Sequence, residues 1–512
     1  PLISARRASV WLSMACACLE ERRLEERPDA GGARHEYSKF DLFAALGTQY
    51  LSNACITSVT PVALLSAETR KSSSPLATSG GIAAATSIGM TISMACTYSR
   101  SARWLDGKVP YVLFALLLMA GSCCYVIAEA TQASVTVLAA TRVAMSLGFG
   151  AIYCTKRRAS IERDPQQREY LFLLLELASS SGMASGPLLT GGLLLLLPPS
   201  WQWATLYAPA LIMFCMTLLY VVGLLWLPLD TPLHAPPPAR EASPRPPSSS
   251  DKAVTIEDDA ARPPVWAAAV VVASCLSFGV GRNFLKFGFE SALVVVYDRQ
   301  LGFSSGVAGI IAGACALMGL ALVVCWKVRG QSKLGLKSTT LLCAAEVLAF
   351  LSALLMLASS KQMLHRLSRW LTLDKAVRAK LQLGLALASS VAFYPAMYLG
   401  AALGNSRPVV YAQPAHWLLS RDAIIAQQDL IQTTLGKALG MVYCRSALGV
   451  GDDVELAGLG SLFLVIMTVQ AVIIGRAARA ETRHHRRPPR VRTAPPSARP
   501  VPPRALAAPP PP

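Results

Sequence analysis

The chain has 512 residues, of which 53% are hydrophobic and only 15% charged, and its mean hydropathy is +0.42. Soluble domains carry about 25% charged residues, whereas here the apolar residues come in blocks of about twenty, the length that crosses a ~30 Å hydrocarbon core as a helix. A soluble enzyme, a disordered scaffold, a small secreted module and a single-pass receptor are excluded, and an all-α polytopic membrane protein is expected. In a soluble protein the net charge of +18 would raise nucleic acid as a partner. In a membrane protein it reflects basic loops gathered on one face, and no nucleic-acid partner is expected.

The chain opens at Pro1 rather than Met, so a fragment or processed chain is expected. Residues 8–19 are faintly apolar, but Glu20 to Arg27 follow at once, a poor match to a signal peptide. Twelve candidate spans follow a cytosolic N-terminal segment, 1–41. They cover roughly 42–66, 78–97, 109–128, 132–154, 170–197, 203–227, 265–296, 304–326, 338–360, 381–403, 422–448 and 457–475. After span six comes a Pro/Ser-rich stretch, 229–264, with Pro236-Pro237-Pro238 and Ser248-Ser249-Ser250, which cannot bury a core and reads as a linker. After span twelve comes a basic, Pro-rich tail, 477–512, without a folding pattern. Residues 42–228 and 265–476 are thus two six-helix halves. Two such bundles facing each other across a central path are the arrangement of the major facilitator superfamily.

Lysine and arginine counts orient the spans. The loops after spans two, four, six, eight and ten hold 3, 5, 4, 4 and 2, and nine arginines lie from Arg476 onward. The loops after spans one, three, five, seven, nine and eleven hold 2, 0, 0, 1, 6 and 0. Both termini are therefore expected in the cytosol. The exceptional loop, Lys361 to Lys380, reads as an amphipathic surface helix, with Met363, Leu364, Leu367, Trp370 and Leu371 opposite His365, Arg366, Arg369 and Lys375.

The thirteen cysteines follow no metal-binding spacing. No Walker-type phosphate loop, HExxH or GxSxG is present. Neither an enzyme activity, a metal nor a cofactor is expected.

Span five contains GMASGPLLTGG. Gly182 and Gly186 share one helix face and permit close crossing, Pro187 removes a backbone hydrogen bond, and Gly191 and Gly192 extend the smooth face. Ionisable residues inside spans are costly and face a cavity or a partner. Here they are Arg142, Glu176, Arg282, Lys286, Glu290, Glu346, Asp429, Lys437 and Arg445. Arg282, Lys286 and Glu290 recur every four residues along one flank of span seven. Arg142 on span four and Lys286 on span seven can converge from opposite halves, and two cations at one site suit a divalent oxyanion. The alternative stays open: Lys286 and Glu290 neutralise each other, Arg142 pairs with Glu176, and Lys156, Arg157 and Arg158 are simple anchors. Gln49, Tyr50, Ser52, Asn53 and Thr57 on span one, and Tyr394 and Tyr398 around Pro395 on span ten, are further polar candidates.

Several stretches together carry a family resemblance. They are TYSRSARWLDGKVPYVLF from Thr97, KRR from Lys156, GMASGP from Gly182, FLKFGFESA from Phe284 and TTLGKALG from Thr433. With Arg142, the basic pair Lys156-Arg157, the run Leu285 to Glu290 and a basic residue at Lys437, they resemble the transporter half of plant-type SPX-MFS vacuolar phosphate transporters. The resemblance implies a major facilitator fold of about twelve helices and an alternating-access transporter of inorganic phosphate or a related anion in a vacuolar membrane. The candidate substrate contacts are Arg142, Lys286, Lys437, Arg282, Lys156 and Arg157, with Glu290 and Glu176 as ion-pair or coupling carboxylates; the sequence does not decide between coupling to protons and simple facilitated passage. The sequence departs from the family at Arg158, where an aromatic is usual, and at Asp429, which lies off the family's acidic spacing. The 41 residues before span one are too few for an SPX domain. A facilitator for an organic anion or a sugar, and a non-transporting sensor of the same fold, are the other expectations.

Overall fold

A computed structural model of the chain describes residues 39–98, 107–161, 165–198, 201–227, 265–334, 338–360, 363–366, 369, 374–412, 416, 418–448, 458, 460–470 and 472–473. The linker at 229–264, the tail at 477–512 and nearly all of the N-terminal segment lie outside the described residues. Every regular element among the described residues is helical. The fold is all-α, as expected.

Each expected span contains a helix. Span one is Lys39–Ser58 with Ala63–Thr69, span two Pro75–Tyr98 and span three Val109–Ala130. Span four is Val135–Ser146, continued through a tight turn into Ala151–Ile161, span five is Pro165–Leu196 and span six Gln202–Trp226. Span seven is Val265–Val295 with a wide π turn Val296–Gln300, span eight Ser305–Leu334, span nine Ser338–Ala358 and span ten Lys375–Val410. Span eleven is Arg421–Ile431, a π turn Gln432–Ala438 and Leu439–Ala447, and the helix Gly460–Gln470 belongs to span twelve. By length and composition eight of the described helices can cross a bilayer, or nine when the bent pair in span one counts as one. Span eleven, which carries Asp429, Lys437 and Arg445, is not among them.

Two expectations need correction. Span one is not continuous: its two helices are bent by 41°. Pro61 has no N–H for the carbonyl of Thr57, which instead accepts from the Thr60 backbone N–H at 3.1 Å and from Thr60 Oγ1 at 2.7 Å. Lys375 to Lys380 do not form part of a separate surface helix but open span ten, directly after Asp374. No glycine or proline interrupts the helix before Gly384, and the remainder of the expected surface helix lies largely outside the described residues.

In the first half, span one packs on span five, span two on span four, and span three on spans four and six. In the second, span seven packs on span eleven, and span ten on spans eight and nine. The halves meet where span two lies along span eleven and span five along span eight. Ion pairs mark the two ends of the bundle. Arg158 pairs with Asp41, and Arg157 lies 3.5 Å from Asp422, near the end that carries Lys39. Arg70 pairs with Glu129 at 2.8 Å, and Arg299 with Glu68 at 2.5 Å, near the end that carries Thr69. These ends are called the Lys39 face and the Thr69 face.

The glycine-proline motif of span five works through backbone contact. A methyl group on Gly182 would strike the carbonyl of Tyr50, and one on Gly186 would meet Ser58 N at 2.8 Å, so spans one and five touch only because both are glycine. Pro187 frees the carbonyl of Met183, and Thr57 Oγ1 donates to it at 3.0 Å. Gly191 serves the other neighbour: its methyl would meet Ile310 N of span eight at 2.9 Å. Gly192 faces open space, contrary to the expected continuation of the smooth face, because one further residue turns the helix by about 100°.

Candidate functional site

A cavity lies between the halves, toward the Lys39 face. Spans one, two, four and five line it on one side, and spans seven, ten and eleven on the other. It offers about 50 Å³ to the centres of water-sized molecules, against about 10–15 Å³ for one water. That is room for a small polar solute. Its wall holds four cations, Lys156, Arg282, Lys286 and Lys437, but only two carboxylates, Glu176 and Asp429.

Helical spacing aims these groups. Arg282 and Lys286 are one turn apart on span seven, and Asp429, Thr433 and Lys437 recur every four residues on span eleven across its π turn. Such turns widen the helix and recur at functional sites. Span four contributes Lys156 and span five Glu176.

The pairing across the cavity is specific. Lys286 Nζ donates to Glu176 Oε1 at 3.0 Å, and Lys156 pairs with Asp429. Both pairs join one half of the protein to the other. Lys437 also reaches across: its ammonium is 3.4 Å from Asn53 Oδ1 of span one and 4.8 Å from the centre of the Phe287 ring. Asn53 is itself held by donating to Ser179 Oγ at 2.8 Å. Arg282 is buried, with its guanidinium 5.7 Å from the Phe278 ring centre and its Nε without a hydrogen-bond partner. Among the described residues, neither Arg282 nor Lys437 has a carboxylate within ion-pair distance. Arg282 is buried and Lys437 half-buried, and a small anion at the cavity wall offsets the cost of desolvating them.

The expected site residues divide. Lys286, Lys437, Arg282, Lys156 and Glu176 line the cavity, and so do Gln49 and Asn53. Arg157 does not and turns to Asp422. Arg142 is the main correction. It is fully buried away from the cavity, with Nη2 donating to the Cys55 carbonyl at 2.7 Å and its guanidinium 5.6 Å from the Tyr125 ring centre. It therefore does not converge with Lys286, and it does not pair with Glu176. Its position on span four faces spans one and three, which the tight turn at Leu147–Phe149 separates in orientation from Lys156 further along.

Glu290 is a second correction. It does not neutralise Lys286 but accepts a hydrogen bond from the Tyr394 hydroxyl, while its other oxygen has no partner. Lys286 instead lies 5.1 Å from the centre of the Tyr398 ring. Sequence reasoning missed Asn283, Asn405, Gln432 and Thr433 as lining residues and Asp429 as the partner of Lys156. The four-residue recurrence of Asp429, Thr433 and Lys437 was the available signal.

The chain belongs to the major facilitator superfamily, whose family model matches residues 42–412. Among solved structures it is similar to a D-xylose-proton symporter, at 13% identity and a TM-score of 0.56, over 85% of this chain and 96% of that one. It is also similar to the human organic anion transporter MFSD10, at 14% identity and a TM-score of 0.52, over 85% and 98% of the two chains. A third likeness is to the nucleoside transporter NupG, at 11% identity and a TM-score of 0.51, over 86% and 100%. At these identities the likeness is one of fold. A comparison of the sequence with curated proteins finds none that matches. The protein is thus a multi-pass membrane transporter of the facilitator class, and its cavity is the place to seek its solute.

Proposed function

We propose that the protein carries a small inorganic anion, phosphate or a close relative, across an internal membrane by alternating access. The observation that carries this reading is that buried Arg282 and half-buried Lys437 both line the cavity with no carboxylate within ion-pair distance among the described residues. Arg282 supplies a planar fork of donors, and Lys437 and Lys286 supply point charges, a set suited to a tetrahedral oxyanion. Lys156 completes the site from the opposite half.

The cross-half pairs give binding a mechanical consequence. An anion that bonds Lys286 competes with Glu176, and one that bonds Lys156 competes with Asp429. Each displacement releases a tie between the halves, so the loaded transporter rocks more readily than the half-loaded one. Glu290, buried beside Tyr394 with one oxygen free and no cation partner among the described residues, is the carboxylate that takes and returns a proton if transport is coupled. The family resemblance supports a vacuolar membrane and the basic-loop asymmetry supports cytosolic termini, and a fluorescent fusion with protease protection tests both.

Uptake of radiolabelled phosphate into proteoliposomes tests the function. Phosphate flux that arsenate or sulfate suppresses supports the proposal. Flux of a sugar or an organic anion without phosphate flux replaces the solute, and no flux of any anion removes the transport reading of the cation cluster.

A further inference from the structure

We propose that Arg445 is the gate residue on the Thr69 face: its guanidinium ties the second half to the break in span one, and that bond must open before the cavity can reach that side. The proposal rests on membership of the transporter family and on geometry, not on which solute is carried.

Arg445 has no exposed surface. Its Nε donates to the Ser291 carbonyl of span seven at 3.0 Å, inside its own half. Its Nη2 donates to the Thr60 carbonyl of span one at 2.9 Å, across to the other half. Its Nη1 has no partner, and no carboxylate lies within ion-pair distance among the described residues. A charge buried in this way is held only by the carbonyls it reaches.

The acceptor is suited to the task. Thr60 lies in the turn where Pro61 interrupts span one, so its carbonyl sits outside the regular helical ladder and is free to take an outside donor. Arg445 lies eight residues beyond Lys437 on span eleven, about 12 Å at 1.5 Å per residue, and Thr60 lies seven residues beyond Asn53 on span one. The contact is therefore a layer past the cavity, toward the Thr69 face. Close packing holds it there, since a methyl on Gly80 of span two would meet Arg445 Cβ at 3.2 Å. Arg142 offers the internal contrast. It also donates to a span-one carbonyl, that of Cys55, but it belongs to the same half as span one, so its bond survives when the halves rock apart.

Rocking that opens the Thr69 face must pull Thr60 from Arg445 and leave Ser291 attached. A hydrogen bond from a charged donor weights the closed state by about tenfold or more. Removing it shifts the balance toward the form open on the Thr69 face and away from the form open on the Lys39 face.

The test uses two reporter cysteines in the full-length protein, Thr60→Cys beside the gate and Ser179→Cys in the cavity wall. Each is labelled with a water-soluble maleimide in detergent, and the labelled peptides are quantified by mass spectrometry. Adding Arg445→Gln is expected to speed labelling at Thr60→Cys about tenfold and to slow it at Ser179→Cys. Arg445→Lys, which keeps the charge and a donor, is expected to fall between wild type and Arg445→Gln at both reporters and keeps the test open if Arg445→Gln does not fold. Unchanged labelling at Thr60→Cys overturns the proposal. So does faster labelling at both reporters, which marks general loosening rather than a released gate.

Discussion

Span four and span seven each bury an arginine, and the two differ in what surrounds them. Arg142 Nη2 donates to the Cys55 carbonyl and the guanidinium leans on Tyr125, both in its own half. Arg282 lines the cavity and rests on Phe278, and the Nε of each arginine lacks a hydrogen-bond partner. A cation already bonded to fixed backbone inside one rigid bundle braces that bundle. A cation on the cavity wall, at the seam between bundles, is placed to meet a ligand. Burial is nearly the same in the two cases and each leaves its Nε unsatisfied, so neither feature marks a binding residue; a place on the cavity wall does.

The sharpest way to break this contrast is to remove a cation that both lines the cavity and crosses the seam. Lys286→Ala is expected to lower phosphate uptake in proteoliposomes by about 100-fold or more while the protein still elutes as a single species. It loses a charged contact and leaves Glu176 without its counter-charge. Full uptake in that variant would place the solute elsewhere. Arg282→Gln and Lys437→Gln are each expected to raise the KM for phosphate by about tenfold, read from initial rates over a range of phosphate concentrations. Equal losses of maximal rate at unchanged KM would assign them to the conformational step instead.

Glu290→Gln tests the buried carboxylate that accepts from Tyr394 and has no ion-pair partner among the described residues. It is expected to abolish accumulation driven by an imposed pH gradient, while phosphate–phosphate exchange stays within about threefold of wild type. Exchange lost together with accumulation would show that Glu290 bears on the solute rather than on coupling. Arg142→Gln is expected to leave the KM within about twofold and to lower the melting temperature, since it removes a brace inside one half. A tenfold change in KM would restore Arg142 to the binding site. The smallest effect is expected for Glu68→Gln, whose exposed pairing with Arg299 contributes little. Maximal flux should change by less than about twofold.

The motif of span five was legible as a point of close helix crossing, Gly192 excepted, but not as to which span it meets. Glycine at 182 and 186 leaves no side chain, so only another backbone can fill the space, and Tyr50 and Ser58 do. Pro187 had to free a carbonyl, and Thr57, already singled out as a polar residue of span one, takes it up. The partners of the charged residues were not legible in the same way. Glu176 is closer in sequence to Arg142 than to Lys286, and Glu290 is one turn from Lys286, yet the ion pair that forms joins residues 110 positions apart. Sequence spacing fixes which residues share a face of one helix, but not which other helix that face meets.

By itself, then, the sequence determined a membrane-spanning helical chain in two halves, because hydropathy and the period of an α-helix are local properties written residue by residue. It also determined that charged groups on spans four, five, seven and eleven had to find partners or a cavity, since hydrocarbon does not solvate them. Only the tertiary structure decided which found which: Arg142 sealed against a carbonyl, Lys286 held by Glu176 across the seam, Arg282 and Lys437 left facing the cavity. That choice depends on helix rotation and on the register between packed spans, and both are set by contacts between residues far apart in the chain.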